Sequence, residues 1–87
     1  MALSNFIKSK RIDNFLTQQE AAVLLGYKKS QFLSNLECGK RKPPLDVLQK
    51  MCEVYHVERS EMRDEYIKSA TNEAHQLAQE KWDSQQS

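Results

Sequence analysis

Glycine and proline are scarce, two of each in 87 residues, and the Val/Ile/Thr runs that mark strands are missing. With 39% apolar and 29% charged residues, the composition points to a soluble all-α chain. That length supports one domain with a single modest core. Long apolar runs are also absent. The longest, Ala21 to Leu25, stops at Gly26, far short of the ~20 residues a membrane-spanning helix needs. The N-terminus lacks the charged, apolar, small-residue order of a secretory signal. A cytoplasmic location and no membrane partner are therefore expected.

Cysteine is equally sparse. Cys38 and Cys52 lie on either side of Pro43-Pro44, in no CxxC and near no histidine at ligand spacing, so no metal site is expected and the pair reads as reduced. His56 and His75 read as solvated. The chain holds no Ser/His/Asp set, no carboxylate pair placed for a cleft and no phosphate-binding loop. It does not read as an enzyme, and no cofactor is implied.

What is present is a charge asymmetry hidden by a net charge of +1. Residues 1–50 carry nine Lys/Arg against four Asp/Glu, whereas residues 51–87 carry four against eight. A basic first half beside an acidic second half suggests a polyanionic partner for the first.

Hydrophobic spacing divides the chain into five helices. Leu3, Phe6 and Ile7, opposite Lys8, Lys10 and Arg11, predict a first amphipathic helix over roughly 3–13. Asn14 is suited to the left-handed position just past its end. Thr17 with Glu20 forms a capping box for a second helix that stops at Leu25 and Gly26. A third is expected from about Ser30 to Cys38, with Leu33 and Leu36 on one face and Gly39 as its stop. Pro43 then forbids helix, and Pro44 suits the first position of a fourth. Its expected stripe is Leu45, Leu48, Met51, Cys52 and Tyr55, with Val57 returning to the core. A fifth starts near Arg59 and runs unbroken to about Trp82, with a thin stripe of Met62, Tyr66, Ala70, Ala74 and Leu77. The final DSQQS is expected to fray.

Two short helices, a turn opening on glycine, and a third helix with a polar start form a helix-turn-helix pattern. Together, "FLTQQEAAVLLGY", "FLSNLECGKRKPPLDVL" and "YHVERSEM", preceded by "IKSKRI", resemble the Cro/C1 class of lambdoid phage repressors and bacterial regulators. The likeness covers about residues 3–62. It implies a five-helix, lambda-repressor-like DNA-binding domain over 1–62, followed by a C-terminal helical extension over 63–87.

The resemblance also assigns roles. Glu37, Gly39, Lys40 and Arg41 fall on the family's E-x-G-K-R element, which puts Ser30, Gln31 and Asn35 at positions that reach base edges. Gln and Asn pair bidentately with adenine, and Ser is adaptable. Phe32 beside them suits either a thymine methyl or packing against the second helix. Gln18 matches a phosphate-contacting position at a helix start. Lys28 and Lys29 form one cationic loop and Lys40, Arg41 and Lys42 another, either gripping phosphate or simply solvated. Arg11 and Glu37 match positions that pair across the first and third helices. The chain also departs from the family. Gly26 to Gly39 is one residue longer than usual, and Phe15 stands where a helix-ending glycine is common, a role Asn14 takes over. Ala21 replaces a leucine, leaving a gap for Phe15 or Phe32. Val23 and Leu24 occupy positions that are usually polar.

The expected function is a transcriptional regulator, a repressor binding double-stranded DNA at a palindromic operator as a homodimer. The alternative is an antitoxin or anti-repressor that binds a protein through residues 63–87. Val23, Leu24 and the stripe beyond Met62 need cover. Either the long helix folds back over Val23 and Leu24, or it pairs with its copy.

Overall fold

The first four helices end in the same way. α1 (Leu3–Asp13), α2 (Gln18–Leu24), α3 (Gln31–Glu37) and α4 (Leu45–Val54) are each followed two residues on by a left-handed residue: Phe15 (φ 58°), Gly26 (94°), Gly39 (80°) and His56 (55°). At the first three termini two amides turn back onto the last-turn carbonyls, and after α4 the Val57 N–H returns to Cys52 O at 3.0 Å. In α1, Phe15 N–H meets Ile12 O at 2.9 Å and Leu16 N–H meets Arg11 O at 3.3 Å; Gly26 and Tyr27 do the same after α2. These are Schellman caps. Glycine supplies two of them without strain, whereas Phe15 and His56 adopt φ values that side chains disfavour.

The computed structural model describes residues 2–84, which contain five helices and no strand. α5 (Arg59–Ser84) is 26 residues long; Gln85 to Ser87, the rest of the expected fray, lie outside the described residues. Leu3, Phe6 and Ile7 of α1 meet Leu33 and Leu36 of α3 and Val47, Leu48 and Met51 of α4 in one core, closed by Tyr55, Val57 and Met62. The expected capping box forms. Thr17 Oγ1 accepts from Glu20 N–H at 3.1 Å and Glu20 Oε1 accepts from Thr17 N–H at 3.0 Å. Those Thr17 groups, the backbone N–H foremost, hold the Glu20 carboxyl below its ordinary range.

Three local expectations are corrected. Asn14 is not the left-handed residue (φ −92°). Its side-chain amide instead donates to Lys10 O at 2.7 Å and Tyr55 O at 2.8 Å, tying the ends of α1 and α4 together. The left-handed turn therefore falls one residue later, on Phe15, which points away from the core and is 93% exposed. It cannot fill the space beside Ala21; Phe32 packs against the core instead. Pro44 is the N-cap of α4 rather than its first residue, and Leu45 is 53% exposed while Val47 is buried in its place. The buried face centres on Leu48, Met51 and Tyr55, so Leu45 sits at its edge, over a groove shared with Met62 and Tyr66 of α5.

α5 runs antiparallel to α1. Glu61 pairs with Lys10 near the end of α1 at 3.2 Å, and Ser69, Ala70 and Glu73 line a cleft with Ala2 and Ser4 at its start. Beyond Glu73 the helix leaves the domain, and every residue through Ser84 is exposed. Val23 and Leu24 stay exposed, so α5 does not fold back over them.

Candidate nucleic-acid interface

The position of α3 is fixed by a buried charge cluster. Arg11 Nε donates to Glu37 Oε2 at 2.7 Å and Nη2 to Oε1 at 3.0 Å, a bidentate pair. Gln18 Nε2 adds a bond to Glu37 Oε1 at 3.1 Å, and Arg11 Nη1 donates to Leu16 O at 2.7 Å. One cluster thus ties α1, the α1–α2 loop, the start of α2 and the end of α3. The side chain of Gln18, expected on phosphate, is occupied here by Glu37. Beside the cluster, the buried Tyr55 hydroxyl has no hydrogen-bond partner among the described residues. Burial, and next the Glu37 carboxylate, push its pKa up to about 12.

Leu33, Leu36 and Glu37 face inward, leaving Gln31 exposed and Asn35 half-buried on the open side of α3. One turn apart, these two are joined by a bond from Gln31 Nε2 to Asn35 Oδ1 at 3.1 Å. Gln31 keeps its carbonyl oxygen and Asn35 its amide nitrogen for a further partner, the acceptor and donor that an adenine edge complements. Ser30 is the N-cap of α3, half-buried, and makes no side-chain cap bond. Phe32 is engaged within the chain. Its ring stacks on Tyr27 with centroids 4.4 Å apart, and the Arg41 guanidinium lies 5.5 Å from its centre. That packing pins the α2–α3 turn and the loop after α3 to one aromatic pair.

Cationic loops flank α3 at both ends. Lys28 and Lys29 are exposed, and Gln19 Nε2 holds the Lys28 carbonyl at 3.0 Å, so the chain path there is fixed. Lys40 and Arg41 are exposed and form no ion pair among the described residues, whereas Lys42 pairs with Glu73 of α5. Cys38, between α3 and the second loop, is free and exposed; Cys52 is free and buried, and burial pushes its thiol up, away from the reactive thiolate. No group of His, Cys, Asp and Glu among the described residues is arranged to hold a metal ion. No described helix is long and apolar enough to cross a membrane.

Sequence reading did not find Gln19, Tyr27 or Glu73 as parts of this surface. An aromatic pair spanning the turn was a local signal for Tyr27. Glu73 had none.

A short helix locked by a buried ion pair, with a polar open face and cations at both ends, defines a helix-turn-helix DNA-binding module. Residues 7–62 match the helix-turn-helix family model, and the chain belongs to this Cro/C1-type family of DNA-binding transcription regulators. That is a family of regulator domains rather than of enzymes. No curated protein and no solved structure matches the chain.

Proposed function

We propose that the chain is a repressor that binds a palindromic operator as a homodimer, with residues 1–62 on DNA and residues 63–87 supplying assembly. The observation that carries the reading is the Gln31–Asn35 pair on the open face of α3, flanked by Lys28 and Lys29 on one side and Lys40 and Arg41 on the other. Gln31, Asn35 and Ser30 read base edges, and Phe32 sets the turn that presents them, its rim offered to a thymine methyl. The two cationic loops, Lys42 included, and the backbone N–H of Gln18 hold phosphate.

Self-assembly is supported by where α5 goes. Glu73 lies beside the loop that follows α3, so the exposed turns after it begin next to the DNA-facing surface. Two copies joined there carry both recognition helices together, and two half-sites supply the specificity that one module lacks. Leu77 and Trp82, 61% and 65% exposed, provide the apolar contact. These same side chains favour a second reading, in which the outer part of α5 binds a different protein, as in an antitoxin or anti-repressor.

Sequencing the DNA that the purified protein selects from a random pool tests the proposal. An inverted repeat is the expected result. A single, unrepeated motif would remove the homodimer, and selection of no motif would favour the second reading.

A further inference from the structure

Among the described residues, Lys42 is the one cation of the loop after α3 that already has an anionic partner, the Glu73 carboxylate, which α5 brings from thirty-one positions along the chain. The arrangement is built rather than incidental. The antiparallel course of α5 along α1 sets Ser69 and Glu73 across a cleft from Ser4, Gly39 and Lys42. Gly39, in its left-handed conformation, turns the loop toward that cleft.

We infer that Glu73 is an affinity-setting residue: it competes with a DNA phosphate for Lys42 and weakens binding to any duplex. This rests on the DNA-binding reading of the loop. Two opposite effects are open to such a carboxylate, since it can hold Lys42 in a useful position or oppose the phosphate. Their magnitudes decide. The side chains are 72% and 45% exposed, and a pair in water holds a lysine only weakly. A carboxylate seated on Lys42, by contrast, must be displaced before the ammonium can neutralise a phosphate and release its counterion. Competition outweighs positioning.

The test is a set of anisotropy titrations of the full chain on a short random-sequence duplex over a range of salt. The proteins are the wild type, Glu73→Gln, Lys42→Gln and the double variant. Glu73→Gln should bind about two- to five-fold more tightly at low salt, with a slope of log affinity against log salt steeper by up to about one. In the Lys42→Gln background the same change should have less than half that effect. Weaker or unchanged binding by Glu73→Gln overturns the inference. So does an equal gain in both backgrounds, which would make Glu73 part of a general field rather than a competitor for Lys42. A wild type that binds no duplex at any salt instead overturns the DNA-binding reading, and is told apart by the first titration.

Discussion

Arg11 and Glu37 are both buried, and each is the other's principal partner. Removing one leaves a charge stranded in the core, which costs about 3–5 kcal/mol, whereas an apolar pair of similar volume costs far less. Thermal melts of Arg11→Met, Glu37→Leu and the double variant should therefore show a double variant well above the sum of the singles. Tyr55 gives a pH dependence of definite sign. Its pKa rises from 10.0 to about 12 on folding, so the folded state favours the protonated hydroxyl. That contribution is complete below pH ~10 and is lost as pH rises toward ~12, at up to about 1.4 kcal/mol per unit. Melts across this range should show a loss in the wild type that Tyr55→Phe lacks. Because the hydroxyl has no partner among the described residues, Tyr55→Phe should cost little at neutral pH. On the DNA side, Gln31→Ala and Asn35→Ala should remove about 1–3 kcal/mol of discrimination. Lys40→Ala and Arg41→Ala should instead weaken specific and random binding alike and flatten the salt dependence. Competition titrations separate the two patterns.

At the level of elements, the recurring left-handed cap is the feature with a consequence. Phe15 is nearly fully exposed, so replacing it loses no packing while relieving a φ of 58°. Phe15→Gly should stabilise the fold by about 1 kcal/mol, a rise of several degrees in Tm for a domain of this size. Gly39→Ala should do the reverse. A Cβ there would meet Ser4 Oγ at an ordinary 3.8 Å, but φ is +80°, so backbone strain sets the cost. The two glycine caps were legible because glycine signals a left-handed residue. The Phe15 and His56 caps were not, because nothing local in phenylalanine or histidine marks one. At Phe15 the position is dictated by Asn14 reaching Tyr55 O across the core. The helices themselves, the Thr17–Glu20 box and the inward Leu33 and Leu36 followed from spacing alone. Val47 replacing Leu45 did not, since both lie near the edge of the same face and local spacing does not choose between them. The Arg11–Glu37 contact came through family resemblance. Glu73 beside Lys42 depends on the path of a whole helix, which no local pattern encodes.

The whole molecule is elongated, 49 Å along its longest axis and 27 and 20 Å across, with the outer half of α5 projecting from the globular part. Removing that projection tests the assembly proposal. The cut belongs after Glu73, because Tyr66 packs against the core and Glu73 holds Lys42. A chain ending there should keep its fold, scatter light as a monomer and bind a palindromic site much more weakly than the full chain. Unchanged mass and affinity would move the dimer contact elsewhere, with Val23 and Leu24 the next candidates.

No break interrupts α5 between Glu73 and Trp82, so the projection keeps rotational phase with the body. A helix turns about 100° per residue, and the azimuths of Leu77 and Trp82, about 140° apart, are each thereby slaved to that of Glu73 and, through Lys42, to the surface that would face DNA. One residue inserted after Glu73 swings the outer face by about 100°, away from any partner it met before. Seven bring it back to within about 20°, moved outward by about 10 Å. Changes of length in this helix are therefore not graded. They are tolerated in near-whole pairs of turns and disruptive in between, so the helix works as an angular gauge as much as a spacer.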